Sequence, residues 1–158
     1  MNIIKRSLII FVIGFAGTFI ASCGMVDVKP PPTRINAAIR AVEEVNPDDS
    51  QRPSPIAVRI YALKSVGTFN ASDFHSLYND DEDTLGGDLV KREEMILKPG
   101  DQKVYARELP PESLYLGVVA GYRQLQNARW KASIPVPGGR TTNMTIDLNA
   151  LSVSIQAE

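Results

Sequence analysis

The sequence predicts a mainly β protein, a two-sheet β-sandwich with a short helical insertion after its second strand. Three observations carry this expectation. From Ile35 onward apolar residues recur at every second position in seven or eight short segments. Turn residues, chiefly Pro, Gly, Asn and Asp, separate those segments. One stretch, Phe69 to Tyr78, breaks the two-fold alternation with helical spacing.

The N-terminus precedes that domain and has a different character. Met1 to Arg6 is short and basic, and Ser7 to Ile20 is an apolar run of 14 residues. The small pair Ala21-Ser22 then leads into Cys23, the single cysteine. The first part reads as a secretory signal. The small pair before Cys resembles a bacterial lipobox, which implies cleavage after residue 22 and a covalent lipid on Cys23. An uncleaved spanning anchor would need roughly 20 apolar residues, more than this run supplies. No other cofactor is expected.

Cleavage leaves 136 of the 158 residues, enough for one domain with a substantial core. The signal carries Lys5 and Arg6, so 17 basic residues fall to 15 against 18 acidic ones, a side-chain charge of −3. Weak acidity provides no footprint for nucleic acid or for polybasic attachment to anionic lipid. With Cys23 lipidated, no disulfide is available and stability rests on burial. Residues 23–33 form the acylated Cys and a tether, in which Pro30-Pro31-Pro32 favours an extended spacer of about 3.1 Å per residue. Gly24, in place of the Asp that retains lipoproteins in the inner membrane, implies an outer-membrane location with the domain facing the periplasm.

Residues 34–158 form the sandwich, with the helical insertion around 69–90. A first strand runs from Ile35 to about Val45. Asn46-Pro47-Asp48-Asp49-Ser50-Gln51-Arg52-Pro53-Ser54-Pro55 has three prolines and no large apolar residue, so it reads as an exposed loop. Ile56 to Leu63 is the second strand. In the insertion, Asn70 is the expected N-cap, Asp73 falls in the first turn, and Phe69 and Phe74 match a hydrophobic staple. Asn79 to Asp83 reads as a solvated acidic turn, and Leu85 to Val90 as either loop or a second short helix. Strand character returns at Glu93 to Leu97. Lys98-Pro99-Gly100-Asp101 fits a tight turn into Gln102 to Arg107. Leu114 to Tyr122 is apolar on both faces, the mark of a central strand covered on both sides. Trp130 to Val136, Asn143 to Leu148 and Leu151 to Ile155 complete the set, with Trp130 expected in the core.

No catalytic constellation emerges. His75 is the single histidine, which precludes a His-based metal cluster within one chain. Asn79, Asp81 and Asp83 have the one-three-five spacing of an EF-hand loop, but Thr84 stands where Gly is needed and Val90 where a bidentate Glu is needed. Gly86-Gly87 and Gly138-Gly139 lack the strand-to-helix context of a phosphate loop. Glu93 and Glu94 point to opposite strand faces and cannot share a proton.

Taken together, several segments resemble the outer-membrane lipoprotein of type VI secretion systems, the TssJ (SciN-like) family. They are the lipobox Cys23, Asn46-Pro47-Asp48, Ser54 to Leu63, and Phe69 with Asp73-Phe74 and Leu77-Tyr78. Leu85 to Leu89, Leu97 to Gly100, Tyr115 to Arg123 and Ala128-Arg129-Trp130 continue the series in the same order. The resemblance implies a transthyretin-like sandwich and a non-enzymatic role. The family's protein anchors the secretion membrane complex to the outer membrane by binding the periplasmic C-terminal region of the large IcmF-like (TssM) inner-membrane component. It also implies that the first inter-strand loop, Asn46 to Pro55, makes that contact. Neither nucleic acid nor a small-molecule substrate is expected as a partner. A transthyretin-like carrier, or a pilotin-type lipoprotein of another envelope machine, is the competing expectation.

Overall fold

The computed structural model describes residues 30–158. The signal, Cys23, Gly24 and most of the tether lie outside the described residues. Eight strands and three short helices follow: β1 (Arg34–Ala41), β2 (Ile56–Leu63), α1 (Gly67–Ala71), α2 (Phe74–Asn79), α3 (Asp81–Leu85), β3 (Leu89–Leu97), β4 (Gln102–Glu108), β5 (Tyr115–Ala120), β6 (Lys131–Pro135), β7 (Thr141–Leu148) and β8 (Val153–Ala157).

They form two four-stranded sheets, ordered β4-β1-β7-β8 and β3-β2-β5-β6. All pairings are antiparallel except β1 with β7. The inward face of β1, Ile35, Ala37, Ile39 and Ala41, meets Ile56, Val58 and Ile60 of β2 and Leu116, Val118 and Ala120 of β5 in the principal core. The sandwich expectation is met. So is the two-faced reading of β5, because Val119 joins a second core on the outer side of its sheet, with Tyr61, Leu63, Phe69, Leu77 and Leu85. The helical insertion covers that side. Phe69 lies so close that a Cβ on Gly117 would stand 2.8 Å from its ring.

The turn at Lys98–Asp101 is as expected: the Asp101 N–H donates to the Lys98 carbonyl at 3.0 Å, and Gly100 takes the positive φ of 78°. This turn carries the chain from the edge of one sheet to the edge of the other. There Arg107 of β4 donates to the Glu93 carboxylate of β3.

Several local expectations are corrected. β1 ends at Ala41 instead of continuing to Val45: the Val42 N–H makes the last bond of the ladder, to the Leu148 carbonyl, and Glu43-Glu44 then turn. The N-cap in the insertion is Asp73, not Asn70: its carboxylate accepts from the Ser76 N–H at 3.0 Å and opens α2. Asn70 and Phe69 sit inside the separate helix α1, so no staple forms between Phe69 and Phe74. The acidic stretch is largely helix α3, not a turn, and Asp81 in it is buried. β3 begins at Leu89, four residues before the expected Glu93, directly after a 3-10 turn at Gly86–Asp88. Trp130 is half-buried, lodged between the two cores and packed edge-on against Phe74 at 5.3 Å.

Asp81 explains how the insertion is fastened. Both of its oxygens accept from Arg92, at 2.6 and 2.7 Å, while Arg59 lies 3.9 Å away. Arg59 also stacks 4.1 Å from the Tyr78 ring centroid, donates to the Tyr78 carbonyl, and pairs with Glu94. On the other flank, Lys131 donates to the carbonyls of Phe69, Asn70 and Ser72 at the C-terminal end of α1. Loss of hydration lowers the affinity of that amine for its proton.

Candidate functional site

The two ends of the sandwich have different contents. At one end the chain enters. The Thr33 carbonyl accepts from Leu109 N–H, its hydroxyl accepts from Gly139 N–H at 2.9 Å, and Arg34 N–H donates to the Arg140 carbonyl. β1 then runs the length of the domain, about 26 Å for eight residues. At the far end stand the loop before β2, the Lys98–Asp101 turn, the connection from β5 to β6 and the turn from β7 to β8.

The loop 46–55 has a buried base and an exposed tip. Asn46, Pro47 and Ser54 are buried, contrary to a wholly exposed loop. Asn46 is the hub. It adopts a left-handed φ of 52°, a conformation Asn tolerates better than most side chains. Its N–H donates to the Ala150 carbonyl at 3.0 Å, its amide nitrogen donates to the Pro55 carbonyl at 2.9 Å, and its amide oxygen accepts from Arg123 N–H at 2.8 Å. One side chain thus ties both ends of the loop to the β5–β6 connection. Ser54 N–H donates to the Val45 carbonyl and closes the base.

The tip is organised by Asp48. Its carboxylate accepts from Ser50 N–H at 2.8 Å, Arg52 N–H at 2.9 Å and Arg52 Nε at 2.8 Å. These bonds, the Arg52 N–H first, hold the carboxyl below its ordinary range. Asp48 N–H donates to the Arg52 carbonyl, Gln51 N–H donates to the Asp48 carbonyl, and Gln51 takes a positive φ of 61°. The charges of Asp48 and Arg52 are therefore spent largely on each other. Asp49, Ser50, Gln51, Pro53 and Pro55 are left exposed, as is the outer edge of Arg52.

Beside the tip lies an open, polar depression of about 540 Å³ lined by Asp49, His75, Arg123, Gln124, Leu125, Gln126 and Asn127. His75 is exposed on α2, as expected of a surface helix residue, and lines this depression together with Asp49 of the loop. Sequence reasoning missed Arg123 to Asn127, because their proximity to loop 46–55 depends on a contact across 77 residues. Cys23 lies outside the described residues. Among the described residues no helix is long and apolar enough to cross a membrane.

The model of the type VI secretion lipoprotein family (VasD, EvfM, TssJ) matches residues 33–151, the whole sandwich apart from its last strand. The chain belongs to this family. Among solved structures it is similar to the type VI secretion lipoprotein TssJ1 from Pseudomonas aeruginosa, with 37% identity and a TM-score of 0.79, over 81% of this chain and 98% of that one. It is also similar to Serratia marcescens Lip, a membrane-bound component of the type VI secretion system, with 26% identity and a TM-score of 0.74, over 80% and 98% of the two chains. A further match, at 20% identity and a TM-score of 0.67, covers 78% of this chain and 98% of a chain in a structure described as the TssM C-terminal domain (869-1107) from EAEC. At that identity the likeness concerns the fold alone. A search of curated proteins finds no match.

Proposed function

We propose that this type VI secretion lipoprotein is a non-enzymatic tether. Acylated at Cys23, it would hold the secretion membrane complex to the outer membrane and grip the periplasmic C-terminal region of a TssM-like inner-membrane protein with loop 46–55. The observation that carries this reading is the polarity of the sandwich. The chain enters the domain through Thr33 at one end, the side on which the proposed lipid anchor would lie, and a pre-ordered, exposed loop tip stands at the other, joined by β1. A tether needs its two attachments on opposite ends of a stiff body. Two or three acyl chains, at about 0.8 kcal/mol per buried methylene, hold firmly where one does not.

The tip suits a binding role because its conformation is fixed before contact. Asp48 and the three prolines have already met the ordering cost that a flexible loop would pay on association. A fold-matched chain also occurs in a structure described by the TssM C-terminal domain, which is the partner class this reading names. The carrier alternative is less favoured: the recess between the sheets, lined by Ile60, Leu116 and Tyr105 with Glu93 and Arg107, holds about 10 Å³, room for at most a single water.

Membrane fractionation and a secretion assay of Cys23→Ser test the anchoring half. The variant should still bind the TssM-like region but leave the outer membrane and fail to support secretion. Full secretion without a membrane-bound fraction would overturn it.

A further inference from the structure

Among the described residues no layer lies over the outer face of the sheet β4-β1-β7-β8, whereas the corresponding face of the other sheet is covered by the helices. Along β1 its centre is built from small and neutral side chains, while toward β8 the Glu158 carboxylate accepts from the Thr145 hydroxyl at 3.3 Å. Ala38 of β1 lies between Val104 of β4 and Thr145 of β7, and Asn36 lies beside Asn143. Val104 is 78% exposed, an unusual place for a large β-branched apolar residue. Near the loop end of the same face, Arg40 of β1 stands in register with Asp147 of β7. Neither enters an ion pair among the described residues.

We propose that this face docks a second copy of the same chain, about a two-fold axis that runs parallel to the strands between β1 and β7. Such an axis lays β1 of one copy over β7 of its partner and keeps each row of the sheet opposite itself. Arg40 then faces the partner copy's residue 147 and Asp147 faces its residue 40, two identical charge pairs from one self-complementary surface. Asn36 meets Asn143, and the small side chain of Ala38 at the centre lets the sheets approach to the usual spacing of about 10 Å. The alternative axis, across the strands, sets Arg40 against Arg34 and brings like charges together.

The chosen axis has a second consequence. It preserves the direction of β1, so both entry ends point the same way and both loop tips point the other way. Two copies lipidated at Cys23 can then insert in one membrane, and this part of the argument rests on the proposed tether. A rotation across the strands would lift one anchor off the bilayer. The face measures roughly 500 Å² per copy, so the pair buries about 1,000 Å² in total, the lower limit for a specific contact. Such an interface is weak in dilute solution and populated when anchoring confines copies to a surface.

The test is sedimentation of the full-length lipidated protein in detergent micelles over a range of protein-to-micelle ratios, repeated by cross-linking in phosphatidylethanolamine–phosphatidylglycerol vesicles. Wild type should form dimers that grow with density. Arg40→Asp and Asp147→Arg should each weaken dimerisation at least tenfold, and the double variant Arg40→Asp/Asp147→Arg should restore it. Val104→Arg, at an already exposed position, should block it while leaving the unfolding midpoint unchanged. A wild type that stays monomeric at every density, single swaps without effect, or a double swap that fails to restore dimers would overturn the proposal. None of these outcomes bears on binding of a TssM-like region, so failure here leaves the tether reading to its own test.

Discussion

The amide oxygen of Asn46 accepts a hydrogen bond from the backbone N–H of Arg123 at 2.8 Å. Through that bond the loop carrying the exposed tip is fixed to the connection between β5 and β6, in the sheet that β2 enters. The bond is part-buried, so neither partner is freely replaced by water.

Asn46→Ala should therefore act at two levels. It removes two side-chain hydrogen bonds and places Ala at a left-handed φ, and the combined loss should be about 2–4 kcal/mol of unfolding free energy. Asn46→Gly keeps the backbone permissive and should recover part of that loss. Urea unfolding of the three proteins measures both. An Asn46→Ala variant of wild-type stability would show that the hub is unimportant.

The order of the tip should depend on pH through Asp48. Its carboxyl is held below the ordinary range when folded, so the charged form stabilises the tip. That contribution is fully present above the unfolded value and is lost as pH falls through the lowered folded value. Amide exchange at Ser50 and Arg52 should stay slow relative to a short peptide of the same sequence at neutral and mildly acidic pH. It should approach the peptide rate only below the usual carboxylate range. Asp48→Ala should show the faster rate at every pH.

Gly117→Ala should destabilise by about 1–3 kcal/mol, because the new Cβ meets the Phe69 ring 2.8 Å away and forces the helical layer off the sheet. Gly117→Ala/Phe69→Leu should be less costly than the sum of the two single changes. Strict additivity of the unfolding energies would contradict this packing.

Removing the buried carboxylate in Asp81→Ala leaves Arg92 and Arg59 facing each other without their shared partner. Arg92 is partly exposed, so the expected loss lies toward the lower side of the roughly 3–5 kcal/mol typical of broken buried pairs. Thermal unfolding checks it. Because the loop tip is not attached to α3, partner affinity per folded molecule should stay unchanged.

These positions also show what could be read from sequence. Alternation placed β2, and apolar residues on both faces of Leu114 to Tyr122 placed β5 and announced a layer on each side, because burial leaves its mark on every residue of a strand. Lys98-Pro99-Gly100-Asp101 was legible for a similar reason: the turn's dihedrals depend on residues within the turn. Asp81 was not legible. Its surroundings read as a solvated acidic run, and its burial depends on Arg59 and Arg92 arriving from two strands. The end of β1 was also obscured, since Val42 and Val45 are apolar on either side of a turn. For the candidate site, the loop's position followed from its prolines and the family resemblance. The hub at Asn46 and the depression beside His75 did not, because both depend on Arg123 to Asn127.

The central claim is that the far-end loop tip grips the partner. It is tested most directly by calorimetric titration of the lipoprotein with the periplasmic C-terminal region of its TssM-like protein. Asp49→Arg/Pro53→Arg changes two exposed tip side chains that the hub and the Asp48 turn do not use. This variant should bind at least tenfold more weakly with an unchanged unfolding midpoint, while Glu112→Arg at the entry end should bind like wild type. Unchanged affinity for the tip variant, together with loss of binding by Glu112→Arg, would contradict the account.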